Sequence, residues 1–250
     1  MSNAILVWSL ALIISIAVLI LFDFTSTTIF QNEAAAQKQG NTTSVLIKNN
    51  NNNTVTKADT ANNLVDEGVM LLVVGKYNEA ISLFDKVLAV DPNNILALIN
   101  KGTTLAYLQK YDEAISLFDK ALAVDPNDVN TLTNKGNVLD TLGMHQEAIL
   151  YYDRALAIKP NDVVALEDKG SALDLLGKYD QAIIYYDKAL TLDPRNVDVL
   201  INKGLALAAL HKYNEAIKYY DRALSIKPTL QYAINGKRLS LEALNQTQIK

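Results

Sequence analysis

The sequence predicts an all-α solenoid, and three observations carry that prediction. Glycines stand at Gly68, Gly102, Gly136, Gly170 and Gly204, and prolines at Pro92, Pro126, Pro160, Pro194 and Pro228. Both series repeat every 34 residues and keep one offset. A period of this length marks a unit that buries its apolar face only by stacking on its neighbours. Within each period the apolar residues fall at helical spacing. Leucines lie four before each glycine (Leu64, Leu98, Leu132, Leu166, Leu200) and three after it (Leu71, Leu105, Leu139, Leu173, Leu207). Spacings of three and four place side chains on one helical face.

Each period reads as two helices, A and B. In the second copy the pattern predicts helix A over Leu96–Leu108 and helix B over Asp112–Val124. Helix B carries a recurring alanine (Ala80, Ala114, Ala148, Ala182, Ala216) and, four later, an aromatic (Phe84, Phe118, Tyr152, Tyr186, Tyr220). Between the helices, Gly75 and Gly143 suit a left-handed helix end. Asn78, Asp112, Asp180 and Asn214 are the expected helix B N-caps, and Glu79, Glu113 and Glu215 follow where negative charge is favoured. A proline turn ends each helix B. An intrahelical glycine costs about 1 kcal/mol against alanine. The expected reason is close approach of helix A to the helix B alanine.

The pattern resembles the tetratricopeptide repeat family. Copy 163–196 meets the family signature nearly in full, with Leu166, Gly170, Leu173, Gly177, Tyr179, Ala182, Tyr186, Ala189 and Pro194. The resemblance covers five copies, 61–94, 95–128, 129–162, 163–196 and 197–230, and it implies a right-handed superhelical solenoid. Departures are Val87 for an alanine, Gln109 and His211 for a glycine, and His145 for a tyrosine. The lysine after Asn100, Asn134 and Asn202 stands where the family often has leucine, and is expected to face solvent above its stem. A helix at 231–245 reads as a cap, with Arg238 at the glycine position because no helix B follows, and 246–250 as a tail.

The chain has 250 residues, a net charge of −4 and no cysteine. There is thus no disulfide frame, thiol nucleophile or zinc-finger spacing. An acidic solenoid is a poor match for nucleic-acid phosphates. Ala4–Phe22 is a run of 19 uncharged residues. At 1.5 Å per residue it spans roughly 29 Å, near the hydrocarbon thickness of a bilayer. Residues 1–23 are therefore expected to form a single transmembrane anchor, with a cleaved signal peptide as the alternative. The first charges after the run are Asp23 and Glu33, which favours the repeats on the extracytoplasmic side. Residues 24–60, rich in Asn and Thr, read as a disordered linker. Sequons occur at Asn41, Asn52 and Asn245.

Little in the chain suggests catalysis. His145 and His211 stand two copies apart in loop positions and make no metal site. No acid–base pair, phosphate loop or cofactor motif is marked out. Of the Tyr-Tyr-Asp triplets, the second tyrosine is expected in the core and the first partly exposed.

The resemblance instead points to a concave groove lined by helix A, three before, one after and four after each glycine. In the first two copies these are Val65, Val69, Leu72, Ile99, Thr103 and Ala106. In the middle copies they are Thr133, Asn137, Asp140, Glu167, Ser171 and Asp174. In the last they are Ile201, Leu205 and Ala208. The groove reads as apolar at its ends and acidic at its centre. The lysines and arginines with which some family members clamp a C-terminal carboxylate are missing from these positions. The expected function is a non-catalytic, membrane-tethered scaffold that binds a peptide or partner protein with apolar anchors and a basic centre. The alternatives are a secreted or self-associating solenoid, or the regulatory arm of an envelope enzyme complex.

Overall fold

The computed structural model describes residues 57–248. The expected anchor at 1–23, nearly all of the expected linker, and the sequons at Asn41 and Asn52 lie outside the described residues. Eleven helices are present among those described, and no strand. The A helices are α1 (Lys57–Val73), α3 (Ile95–Tyr107), α5 (Val129–Thr141), α7 (Val163–Leu175) and α9 (Val197–Ala209). The B helices are α2 (Tyr77–Val90), α4 (Tyr111–Val124), α6 (His145–Ile158), α8 (Tyr179–Leu192) and α10 (Tyr213–Ile226). The last helix is α11 (Gln231–Gln248). It runs through most of the stretch read as a tail, and α1 begins four residues inside the stretch read as linker.

Every helix packs on its neighbours in sequence. Each A helix also packs on the next A helix, and α9 on α11, whereas no B helix packs comparably on the next B helix. The A helices therefore form the close, inner layer and the B helices the spread, outer one. This is the arrangement that gives a solenoid its curvature.

The caps sit differently from the sequence expectation. Helix A carries the side-chain caps: the Ala97, Thr131 and Ala165 amides donate to Asn94, Asp128 and Asp162 at 3.0, 2.7 and 3.0 Å. Asn196 accepts from both Asp198 and Val199. Helix B instead follows Lys76, Lys110, Met144, Lys178 or Lys212, with no side-chain cap bond. Asn78, Asp112, Asp180 and Asn214 fall two positions past the cap, as the second residue of the helix. The chain needs no side-chain cap there because the residue two positions before each helix B turns left-handed. Gly75, Gly143 and Gly177 take φ of 78°, 77° and 71°, and Gln109 and His211 take 60° and 58°. That turn lets the Gly75 and Lys76 amides bond back to Leu72 and Leu71, closing helix A as it opens helix B.

The intrahelical glycines make room for a ring rather than for the alanine. A Cβ on Gly136 would lie 2.5 Å from Cε1 of Tyr152, and the other four repeat glycines face Phe84, Phe118, Tyr186 and Tyr220 at 2.5–2.7 Å. These five aromatics are almost wholly buried. Gly236 in α11 also lies against the Tyr220 ring, while Arg238 is exposed and paired with Glu242.

The lysine before each of the last four repeat glycines turns inward instead of facing solvent. Lys135, Lys169 and Lys203 are buried and bond Asp119, Asp153 and Asp187 of the preceding B helix. Their Nζ atoms lie 4.7, 4.2 and 4.3 Å from the ring centres of Tyr151, Tyr185 and Tyr219. Lys169 and Lys203 also donate to the hydroxyls of Tyr185 and Tyr219, at 2.6 and 2.7 Å. Lys101–Asp85 and Lys237–Asp221 complete the series at 2.6 and 2.7 Å. The aspartate of one repeat's helix B and the first tyrosine of the next repeat's Tyr-Tyr-Asp triplet thus build a lysine pocket between repeats. Burial opposes the charge on Lys135 and Lys169, but the bonds to Asp119 and Tyr151, and to Asp153 and Tyr185, hold both above the ordinary lysine value.

Candidate functional site

The expected groove positions all fall on the A helices, the inner layer, and the structure gives them unequal freedom. Val65, Ile99 and Ile201 are buried in the apolar clusters between repeats. Their surface is spent on packing rather than open to a ligand. Val69, Leu72, Ser171, Leu205 and Ala208 are half-buried. Ala106, Thr103, Thr133 and Asn137 are buried. Successive A helices approach closely enough that their facing side chains cover one another.

The polar positions in the middle are partly committed to internal bonds. Thr133 donates to the Val129 carbonyl at 2.9 Å. The Tyr152 hydroxyl donates to Asn137 Oδ1 at 2.6 Å. Asp140 Oδ1 lies 2.6 Å from His145 Nδ1, across the α5–α6 turn. Glu167 Oε2 accepts from the side-chain amide of Asn196, the N-cap of α9, at 3.1 Å. His145, which the sequence places in a loop, and Asn196, which it does not mark out, are thus parts of the site. No spacing rule links either to the carboxylate it meets.

All three acids at the centre are buried, at 8, 4 and 7% exposure for Asp140, Glu167 and Asp174. They are not the exposed carboxylates expected of a solvated groove. Burial raises all three pKa values. For Asp140 the His145 contact opposes the shift. Glu167 is pushed well above the usual range by burial and then by the charges of Asp168 and Asp198. Asp174 rises from 3.8 to about 7 through burial alone. It also differs from the other two in having an oxygen, Oδ1, that is buried without a hydrogen-bond partner.

Among the described residues no group of three or more His, Cys, Asp and Glu side chains is placed to hold a metal ion. No helix among them is long and apolar enough to cross a membrane.

Residues 93–161 match one family model described as tetratricopeptide repeat, and 163–196 and 197–230 match a second with the same description. Together they take in more than half of the chain. No curated protein matches. Among solved structures the chain is similar to the MamA protein, with 27% identity, a TM-score of 0.58, and coverage of 68% of this chain and 93% of that one. It is similar to YrrB, described as a TPR protein with an unusual peptide-binding site, at 26% identity and a TM-score of 0.59, covering 74% and 98%. A repeat protein from Parabacteroides merdae shares the fold at 20% identity and a TM-score of 0.63, over 74% of each chain.

Proposed function

The chain belongs to the tetratricopeptide repeat family, and from that premise we propose that residues 57–248 are a non-catalytic module binding a peptide or partner protein along the A-helix face. Members of the family generally mediate protein or peptide interactions, and the YrrB neighbour is described by its peptide-binding site. One internal contrast carries the reading. The positions that hold the fold barely change from copy to copy: glycine, alanine, aromatic, leucine. The inner-face position after the glycine runs Val69, Thr103, Asn137, Ser171, Leu205. A solenoid does not need that variety to stack, so the face is where this chain carries its own chemistry. The half-buried Val69, Leu72 and Leu205 supply apolar contact, and the carboxylates between them favour a basic centre in the partner.

A photo-crosslinking residue at Ser171 or Leu205 in the full chain tests this, with Ile184, 54% exposed on α8, as the outer-layer control. Adducts from the inner positions support the groove; adducts from position 184 alone overturn it. The proposal includes a membrane tether at Ala4–Phe22 with the repeats extracytoplasmic. Carbonate extraction with N-terminal sequencing tests that, and a soluble mature chain starting near Gln37 overturns it. Self-association is a second reading, favoured by Met70, Val73 and Val74, which are more than 60% exposed on and just after α1. Light scattering separates the two.

A further inference from the structure

The two ends of the array are unfinished in opposite ways. At its start, Met70 of α1 is 65% exposed, whereas its counterparts Thr104, Val138, Ala172, Ala206 and Ser240 are at most 5% exposed. The helices that carry those counterparts each pack on the copy before, and among the described residues no helix precedes α1. Val73 and Val74 lie open beside Met70. At its finish, Leu241 of α11 is 43% exposed, against at most 5% for its counterparts Leu105, Leu139, Leu173 and Leu207. In the full copies a helix B packs on each A helix, and among the described residues none follows α11. One end lacks a helix in front and the other lacks a helix behind. A solenoid ordinarily closes its ends with polar faces, and open apolar surface rimmed by polar groups marks a docking site.

Charge says what covers these ends. Every joint inside the array sets a lysine against an aspartate of the B helix before it, from Lys101–Asp85 to Lys237–Asp221. At the matching register α1 carries Glu67, which is exposed. An acid there repels an aspartate-bearing B helix and calls for a cation. Arg238 of α11 is an exposed cation, three residues before Leu241 as Glu67 is three before Met70. The chain as a whole has the same polarity. Residues 57–94 carry six acids against three lysines, and 95–196 carry fifteen acids against ten lysines and arginines. Residues 197–248 reverse the balance, with seven lysines and arginines against four acids. The basic end is therefore the α11 end. We propose that the chain associates head to tail, the α1 end of one copy docking on the α11 end of a second copy. This rests on the self-association reading and gives it a surface and a direction. Continuing the order of the A helices sets the incoming α1 parallel to α11, which brings Met70 to Leu241 and Glu67 to Arg238. Pairing α1 with α1 would instead bring two acidic ends together. The head-to-tail contact is heterologous, so it adds copies in a row or ring rather than stopping at a dimer. A partner with several binding segments gains avidity from such a row.

The native chain has no cysteine, so introduced cysteines report contacts without background. Full-length Met70→Cys and Leu241→Cys chains, differently tagged, are mixed in mild detergent and oxidised. Ile184→Cys chains measure random collision. The expected result is that the 70–241 disulfide outweighs the 70–70 and 241–241 disulfides, and that a chain with both cysteines gives a ladder of multimers. Glu67→Lys alone, or Arg238→Glu alone, should raise the chain concentration needed for half-maximal crosslinking about fivefold. The chain carrying both reversals should recover the parent value, because each junction then has its charges exchanged. Both reversals sit at exposed positions, so the fold accommodates them. Yields no higher than those of position 184 for every pair overturn both this proposal and the self-association reading. A dominant 70–70 disulfide overturns the head-to-tail arrangement and leaves self-association standing. A dominant 70–241 disulfide that neither reversal changes overturns the Glu67–Arg238 contact.

Discussion

Replacing Gly136 with alanine tests the packing logic of the repeat at its centre. The added Cβ would sit 2.5 Å from Cε1, 3.0 Å from Cδ1 and 3.1 Å from Cζ of Tyr152. That ring is 1% exposed and its hydroxyl is held by Asn137, so it has little room to withdraw. Overpacking of this kind costs about 1–3 kcal/mol, and the contact belongs at the upper end. Alanine returns about 1 kcal/mol over glycine in a helix interior. The expected net loss is about 2 kcal/mol. In a Tyr152→Ala background the obstacle is gone and only the helix term remains. There Gly136→Ala should stabilise by about 1 kcal/mol, a coupling of about 3 kcal/mol between the two sites. Urea unfolding of the four chains of this cycle, followed by far-ultraviolet circular dichroism, measures the coupling. Hydrogen exchange at the α5 and α6 amides localises it, which matters in a repeat array that need not unfold in one step. An equal cost for Gly136→Ala with and without the ring would show that the glycine is not there for Tyr152. Arg238→Leu, at the matching register of α11, should change stability by under about 0.5 kcal/mol, because Arg238 is exposed.

Asp153→Ala should cost more than Lys169→Met, because it leaves a buried ammonium with only Tyr185; the aspartate is half exposed, so about 1 kcal/mol is expected in thermal unfolding. The reverse order would refute the inter-repeat pocket. Gln109→Gly relieves a left-handed residue that has a side chain and should stabilise by about 0.5–1 kcal/mol after the unfolded-state entropy of glycine is set against the strain. A loss of stability there would show that Gln109 makes contacts worth more than its backbone strain. Asp174 has a raised folded-state pKa, so its stabilising effect is fully present below the ordinary value of 3.8 and is lost as pH rises to about 7. Asp174→Asn should therefore be more stable than the parent at pH 8, by at most about 4 kcal/mol, and show a flatter decline between pH 4 and 7 in urea midpoints. Parallel pH profiles for the two chains would refute the burial of a titrating carboxyl.

The element boundaries were legible because glycine, proline and leucine obey rules internal to one copy. Helix A of the second copy begins at Ile95 rather than Leu96, and helix B at Tyr111 rather than Asp112. What the sequence misassigned depends on contacts between copies. Lys135 reads as a solvated side chain within its own helix, and only the next helix over, carrying Asp119, turns it inward. Asn78 and Asp112 resemble N-caps by residue type, yet the left-handed residue two positions before each helix already sets its entry. For the groove, spacing placed Asp140, Glu167 and Asp174 on the inner layer, but could not show that adjacent A helices bury them. His145 was legible as a loop residue and Asn196 was not singled out, and their carboxylate partners lie 5 and 29 residues away. The Phe-to-Tyr change between Phe118 and Tyr152 was a further signal in the sequence that the centre of the array is polar.

The lysine that bridges repeats always meets an aspartate exactly one connection upstream, from Lys101–Asp85 to Lys237–Asp221. Each copy therefore ends in a receptacle, and each helix that follows one begins with a plug of a single standard. Excising 129–162 would bring Lys169 to Asp119, and duplicating that stretch would add a matched pair. Array length can thus change by whole copies with no charge stranded at the joint, and α11, fastened by the same fitting, would close an array of any length.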